Sequence, residues 1–220
     1  MDAPSSRTVL IAGASGLVGR SILDGLLADD SVAAVHSLGR RELPVAHPKL
    51  TQHRVDFNQA LPALPSVGEA FVALGTTIKV AGSQAAFRAV DFDAVLAVAK
   101  AAKAAGAKRL GVVSAMGADK GSPIFYNRVK GEMEDALTAL GFEGLVIARP
   151  SFLAGDREAL GQPLRGGEKL AMNVSRVLAP LIPDNYKSIP AKSVANALLK
   201  AVPVAHGKRV MMSSELRKAS

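Results

Sequence analysis

At 220 residues the chain is long enough to bury one good core and only marginally long enough for two domains. Hydrophobic residues make up 49% and aromatics only 4%, and there is no cysteine; together these exclude a disordered chain, disulfides, thiolate nucleophiles and Cys-type zinc sites. The formal charge of +8 comes largely from cations scattered singly on expected helix faces, such as Lys100, Lys103, Lys108, Arg128, Lys130, Lys192 and Lys200, so it reads as solvated surface rather than a specific nucleic-acid site.

The first apolar run ends at Gly13, too soon for a signal peptide or a membrane span, and no cationic stretch precedes it. With the missing cysteines, this leads to the expectation of a cytoplasmic protein with no membrane partner. From there strands and helices alternate. Thr8–Ala12 reads as a strand, Arg20–Ala28 as a helix, and Val32–Leu38, Thr51–Val55 and Phe71–Leu74 as three further strands. Ser83–Ala105 is expected as one Ala-rich helix stopped by Gly106. Arg109–Ser114 is a fifth strand, Ile124–Leu140 a helix ended by Gly141, and Gly144–Arg149 a sixth strand. After Pro150 the pattern loosens around Gly161-Gln162-Pro163, Gly166-Gly167 and Pro180–Pro190, before a helix at Ala191–Ala201 and a strand near Arg209–Ser213.

Strands separated by helices imply parallel pairing and right-handed crossovers. The expected fold is α/β, a doubly wound parallel Rossmann sheet of about seven strands in the order 3-2-1-4-5-6-7. The chain reads as a single domain, with residues 1–150 as a cofactor-binding core and 151–220 as a small cap on the carboxyl edge of the sheet.

Between the first strand and helix lies Gly13-Ala14-Ser15-Gly16-Leu17-Val18-Gly19. Gly13 lets the chain turn off the strand, Gly16 admits a pyrophosphate to the backbone, and Gly19 lets helix and strand pack closely. The helix amino terminus, at Leu17 and Val18, offers N–H groups to the phosphate. The second strand runs into Leu38-Gly39-Arg40-Arg41, where an NAD-binding chain carries a carboxylate. Paired guanidiniums clamp a 2′-phosphate instead, so the expected cofactor is NADP (NADPH), with Ser15 a further donor. Arg20 has two readings, phosphate neighbour or cap of the loop. Asp56, next to Phe57, either accepts from an adenine amino group or caps a turn.

Tyr126 and Lys130 stand at i and i+4 and so share a helix face. A phenol is a weak acid and a weaker base at neutral pH, and a neighbouring ammonium favours its phenolate. Ser114 ends the preceding strand, and the three can orient and protonate a carbonyl as hydride arrives. Met116 and Phe125 either line a pocket or fill core, and Asp156-Arg157-Glu158 is either a surface turn or a pocket rim. Met211-Met212 reads as core filling beside the last strand. His36, His47, His53 and His206 are not paired at metal-ligand spacing, and no metal is expected.

The glycine loop, Val90-Asp91, Ala101-Ala102-Lys103-Ala104-Ala105-Gly106, Ser114, Tyr126-x-x-x-Lys130 and Arg149-Pro150 fall in the order found in atypical short-chain dehydrogenases/reductases, which the chain resembles over nearly its whole length. Gly39-Arg40-Arg41, Gly117-Ala118-Asp119-Lys120 and Val129-Lys130-Gly131-Glu132 resemble the Tat-interacting oxidoreductase-like branch in particular. That resemblance implies NADPH binding, with a regulatory role in animals. It also implies Tyr126 as acid/base, Lys130 as its modulator and ribose ligand, and Ser114 as carbonyl anchor. Ala73-Leu74-Gly75-Thr76-Thr77 would pass under the adenosine ribose and pyrophosphate, and Pro150-Ser151-Phe152-Leu153 would approach the nicotinamide. The chain departs from the pattern at Asp91, where many relatives carry Asn, and at Ala115-Met116, where a second hydroxyl is common. The expected function is an NADPH-dependent oxidoreductase acting on a small carbonyl or alcohol substrate. The alternative is a non-catalytic NADPH sensor that binds a protein partner, and self-association is a further possibility.

Overall fold

A computed structural model describes residues 6–154 and 188–218 of the chain. Its elements in order are β1 (Arg7–Ala12), α1 (Leu17–Ala28), β2 (Val32–Gly39), β3 (Leu50–Arg54), β4 (Glu69–Val72), α2 (Ile78–Ala81), α3 (Gln84–Arg88), a π-helical turn (Ala89–Ala94), α4 (Val95–Ala104), β5 (Arg109–Val113), α5 (Phe125–Ala139), β6 (Gly144–Arg149), β7 (Leu153–Ala154), β8 (Ile189–Pro190), α6 (Ala191–Ala201), a 3-10 turn (Val202–Val204), β9 (Gly207–Met212) and α7 (Ser213–Lys218).

The main sheet has seven strands in the order β3-β2-β1-β4-β5-β6-β9, all parallel. This is the expected doubly wound arrangement, with β9 as the seventh strand because the two-residue pair β7-β8 forms a small parallel ribbon of its own. Period-2 alternation splits the core between two faces. From β1, Val9 and Ile11 pack with Ile22, Leu23, Leu26, Val194 and Leu198 of α1 and α6. Leu10 and Ala12 face the other way, onto Val95, Val98, Ala99, Met133 and Leu137 of α4 and α5. The residues after 188 are therefore part of the sheet and its helix layer and not a cap over it: β9 pairs with β6 along six residues, and the Leu199 side chain lies where a Cβ on Gly25 of α1 would come within 2.4 Å. Residues 155–187, where the Asp156-Arg157-Glu158 turn and the proline-rich punctuation were expected, lie outside the described residues.

The expected single helix over Ser83–Ala105 is divided. Ser83 is the N-cap, its hydroxyl accepting from the Ala86 N–H at 3.1 Å, but the i→i+4 pattern widens to a π turn over Ala89–Ala94 before α4 resumes. Such turns insert one residue into the spiral and re-aim a side chain, here Asp91, and they recur at functional sites.

At the basal edge Arg7 reaches Glu69 of β4 through two N–H donors, at 3.2 and 2.8 Å, and Asp29 after α1 at 2.9 Å. This clamp ties β1, β4 and α1 together at the end opposite the strand carboxyl termini. On the outer strands, the β2–β3 register sets His36 beside Thr51 and Leu38 beside His53, and the two imidazoles meet at 3.1 Å between Nδ1 of His36 and Nε2 of His53. His36 and His53 are thus partners across two strands, which no spacing along the chain reveals.

Burial, reinforced by His53, holds the His36 imidazole below its usual pKa. The unfolded chain therefore binds more protons than the folded one just below the ordinary histidine value, and folding stability falls as pH drops through that window. The urea midpoint is expected to decrease from about pH 7 to about pH 5.5, and to decrease less in His36→Gln. An equal decrease in the variant would show that other groups carry the effect.

Candidate functional site

Because the seven strands are parallel, the residues that follow each of them gather at one edge of the sheet. Gly13–Leu17 follow β1, Arg40 and Arg41 follow β2, Val55–Phe57 follow β3, Leu74–Thr76 follow β4, Ser114 follows β5, and Pro150–Phe152 follow β6. The strand order reverses between β1 and β4, which is where ligands bind in sheets of this kind.

The glycine loop is built by backbone contact. Gly13 has φ +90°, and a Cβ on it would lie 2.5 Å from the carbonyl carbon of Ala73. A Cβ on Gly19 would lie 2.1 Å from the Gly13 oxygen. Both positions therefore require glycine within the chain itself. Gly16 differs: its N–H donates to the Gly13 carbonyl at 3.0 Å, yet a Cβ there would make only ordinary contact at 3.4 Å. Gly16 is also the N-cap of α1, with no side-chain cap and no acidic residue in the first turn. The first N–H groups of α1, at Leu17 and Val18, thus keep their affinity for an anion. Arg20 pairs with Asp24 at 2.9 Å along the same helix.

At the far end of the edge, Gly39 pairs in register with Arg54, and its carbonyl accepts from the Val55 N–H at 2.9 Å. A cleft of about 420 Å³ is lined by Arg40, Arg54, Val55 and Asp56. Arg41 is exposed next to it. Asp56 accepts from the backbone and side-chain N–H groups of Asn58, both at 3.0 Å, so it closes a turn while also lining the cleft. Sequence reasoning missed Arg54; the available signal was a cation directly before Val55-Asp56 at the end of a strand.

The third component is one face of α5, where Tyr126, Lys130 and Glu134 follow at i, i+4 and i+8. The Tyr126 ring packs on Phe87, with ring centroids 5.3 Å apart. Lys130 is buried, its ammonium 2.7 Å from Oδ1 of Asp91, which is buried as well. The contact is an ion pair without hydrogen-bond alignment at that oxygen. The other Asp91 oxygen accepts from the Thr76 N–H at 2.8 Å, so the loop after β4 and the helix lysine share one carboxylate. Burial alone would push the lysine pKa down. The Asp91 charge, with Tyr126 and Glu134, outweighs it and holds Lys130 above the usual lysine value.

Glu134, one turn further, is bracketed by Arg149, whose Nε and Nη2 donate at 3.0 and 2.6 Å. It also accepts from the Ser114 hydroxyl at 2.5 Å. The Glu134 oxygens accept from the guanidinium and from the hydroxyl, so Ser114 is the donor in this contact. The Ser114 proton is therefore committed to Glu134, and the hydroxyl presents an oxygen lone pair elsewhere. Pro150 is buried, Phe152 is 69% exposed, and Leu153 belongs to β7. Phe125 meets Phe87 edge-on at 5.9 Å, and Met211 is core.

A model of NAD(P)H-binding proteins matches residues 13–203. The chain belongs to the NAD(P)H-binding family. Protein HTATIP2 of Rattus norvegicus is 36% identical over 203 residues, covering 88% of this chain and 80% of the relative. The mitochondrial protein fmp52 of Emericella nidulans is 38% identical over 207 residues, 88% of each chain. Among solved structures, MoeE5 in complex with UDP-glucose and NAD has a TM-score of 0.68 at 18% identity, covering 95% of this chain and 79% of that one, and shares the fold. Membership of the NAD(P)H-binding family agrees with the dinucleotide binding that its motifs anticipate.

The same relatives correct the expectation of a cytoplasmic protein. Fungal members of the family at this similarity are named as mitochondrial. Absence of cysteine excludes disulfides, but any reducing compartment satisfies that condition, so it does not select the cytoplasm. Among the described residues no helix is long and apolar enough to cross a membrane.

Glu134→Gln is expected to lower folding stability by about 3 kcal/mol in urea denaturation, because it leaves a part-buried guanidinium without its anion. The double substitution Glu134→Leu with Arg149→Met should cost less than Glu134→Gln alone, and a larger loss would show that packing, not charge, dominates.

Proposed function

We propose that the protein is an NADPH-dependent oxidoreductase that interconverts a small carbonyl compound and its alcohol, with Tyr126 as the acid/base. The observation that carries this reading is the Tyr126–Lys130 face of α5, set at the strand edge that also holds the glycine loop.

The residues present suit a nicotinamide dinucleotide. Gly13 and Gly19 are required by the chain's own packing, whereas Gly16 is not, which leaves its open backbone and the uncapped start of α1, at Leu17 and Val18, for the pyrophosphate. Arg40 and Arg41, joined by Arg54, suit the 2′-phosphate of NADP, with Ser15 as a further donor. Asp56 and Phe57 lie where the adenine would rest. Leu74, Gly75 and Thr76 would run under the adenosine ribose and pyrophosphate, and Pro150, Phe152 and Leu153 would approach the nicotinamide.

When bound, that cofactor supplies or accepts the hydride. Tyr126 would give its phenolic proton to the carbonyl oxygen in reduction and recover it in oxidation. Lys130 would stabilise the resulting phenolate and reach for the ribose hydroxyls. Ser114 enters with a modified part. With its proton on Glu134, it can accept from a substrate hydroxyl or from Tyr126, but it does not donate to a bare carbonyl.

Purified protein with NADPH and a broad carbonyl panel is expected to show turnover that Tyr126→Phe removes, and turnover independent of Tyr126 would sink the catalytic assignment. Arg40→Asp with Arg41→Ala should weaken NADPH at least about tenfold more than NADH, about 1.4 kcal/mol of discrimination in fluorescence titration. Equal losses for both cofactors would remove the phosphate clamp.

A second reading, an NADPH sensor with little turnover that engages a protein partner, draws on two features of the site. The Ser114 proton is engaged and the Lys130 charge is already paired. Tight NADPH binding with negligible reduction across the panel would favour it.

A further inference from the structure

Asp91 lies on none of the expected cofactor contacts, yet it is among the most deeply buried ionisable groups at the site. It sits on the π turn between α3 and α4, and it has two partners from different parts of the fold. One carboxylate oxygen is 2.7 Å from the Lys130 ammonium, and the other accepts from the Thr76 backbone at 2.8 Å. A simple structural ion pair would satisfy burial, but it would not need to hold the loop after β4 as well.

The charges facing this pair can be counted by element. From α5 come Lys130, Tyr126 and Glu134; from the π turn, Asp91; from the end of β6, Arg149, which neutralises Glu134. Arg88 at the end of α3 is paired with Glu132 at 2.5 Å. Each of these cations has its own anion, and the one belonging to Lys130 is Asp91, while Arg128, also on α5, donates to the backbone carbonyls of Ser122 and Pro123.

We infer that Asp91 is a positioning residue that holds Lys130 as half of a buried neutral pair and so limits the positive charge met by Tyr126, while joining that pair to the nucleotide loop through Thr76. It rests on the proposed role of Tyr126 and Lys130, but its physical content concerns the phenol and can be measured without a substrate. Here the chain trades part of the drive toward phenolate for a fixed lysine and an anchored loop.

The chain has two tyrosines and no tryptophan, so in a Tyr186→Phe background the near-ultraviolet phenolate band reports Tyr126 alone. In the full chain without nucleotide, Asp91→Asn is expected to lower the pH midpoint of that band by about one unit, because an opposite charge a few ångströms away acts at that scale. Asp91→Glu should restore most of the difference. Lys130→Met should raise the midpoint, and Asp91→Asn combined with Lys130→Met should return it close to that of the parent, since the pair removed is neutral. The double variant leaves no unpaired buried charge and decides the question if Asp91→Asn does not fold. An unchanged or raised midpoint in Asp91→Asn, or a double variant about one unit or more above the parent, would overturn the inference. NADPH titration and Tyr126-dependent turnover, measured on the Asp91-native chain, test the proposed function separately, so either idea can fail alone.

Discussion

A helix that turns an ammonium and a carboxylate toward a parallel sheet has to neutralise both out of reach of water, and α5 does so with partners from three other elements. Lys130 takes Asp91 from the π turn, and Glu134 takes Arg149 from the end of β6 and the Ser114 hydroxyl from the end of β5. Leaving either charge unpaired at this depth would cost several kcal/mol, more than an ordinary surface contact returns. The position of α5 on the sheet, the shape of the helix that carries Asp91 and the orientation of Ser114 are therefore mutually dependent. Tyr126 is on the same face but at the amino end of the helix, where it is part exposed and packed on Phe87.

The glycine loop imposes a separate constraint, made of backbone. Gly13 and Gly19 let β1, α1 and the loop after β4 approach to distances that no Cβ allows. That closeness sets Ala73 and Leu74 against Gly13, and Thr76, two residues further on, bonds Asp91. The dinucleotide edge and the lysine face are thus linked through one loop. Anything that moves this loop on binding would act on the carboxylate that restrains Lys130.

Much of the fold was legible as periodicity. β-rich runs bounded by glycine, and helices stopped by Gly106 and Gly141, place most elements within a few residues of where they lie. The π turn was not legible, because local propensity does not separate i→i+5 from i→i+4 bonding in an Ala-rich helix. The β7-β8 ribbon is two residues per strand, too short for any periodic signal. The last strand, expected near Arg209–Ser213, takes the seventh place in the sheet as β9.

The sequence by itself determined the class of fold, the glycine loop and the Tyr126–Lys130 spacing, because each depends on residues a few positions apart and on backbone rules that hold in any context. It also marked Arg40 and Arg41 by the absence of a carboxylate where one is usual. Only the tertiary structure decided the partners: Arg54 beside Arg40, His36 against His53, Glu134 on Ser114, and Asp91 on Lys130. Those pairs span 14 to 39 residues, by subtraction of their numbers. The last two exist because buried charge must be balanced locally in space, and for none of the four does chain order say which residues will be neighbours.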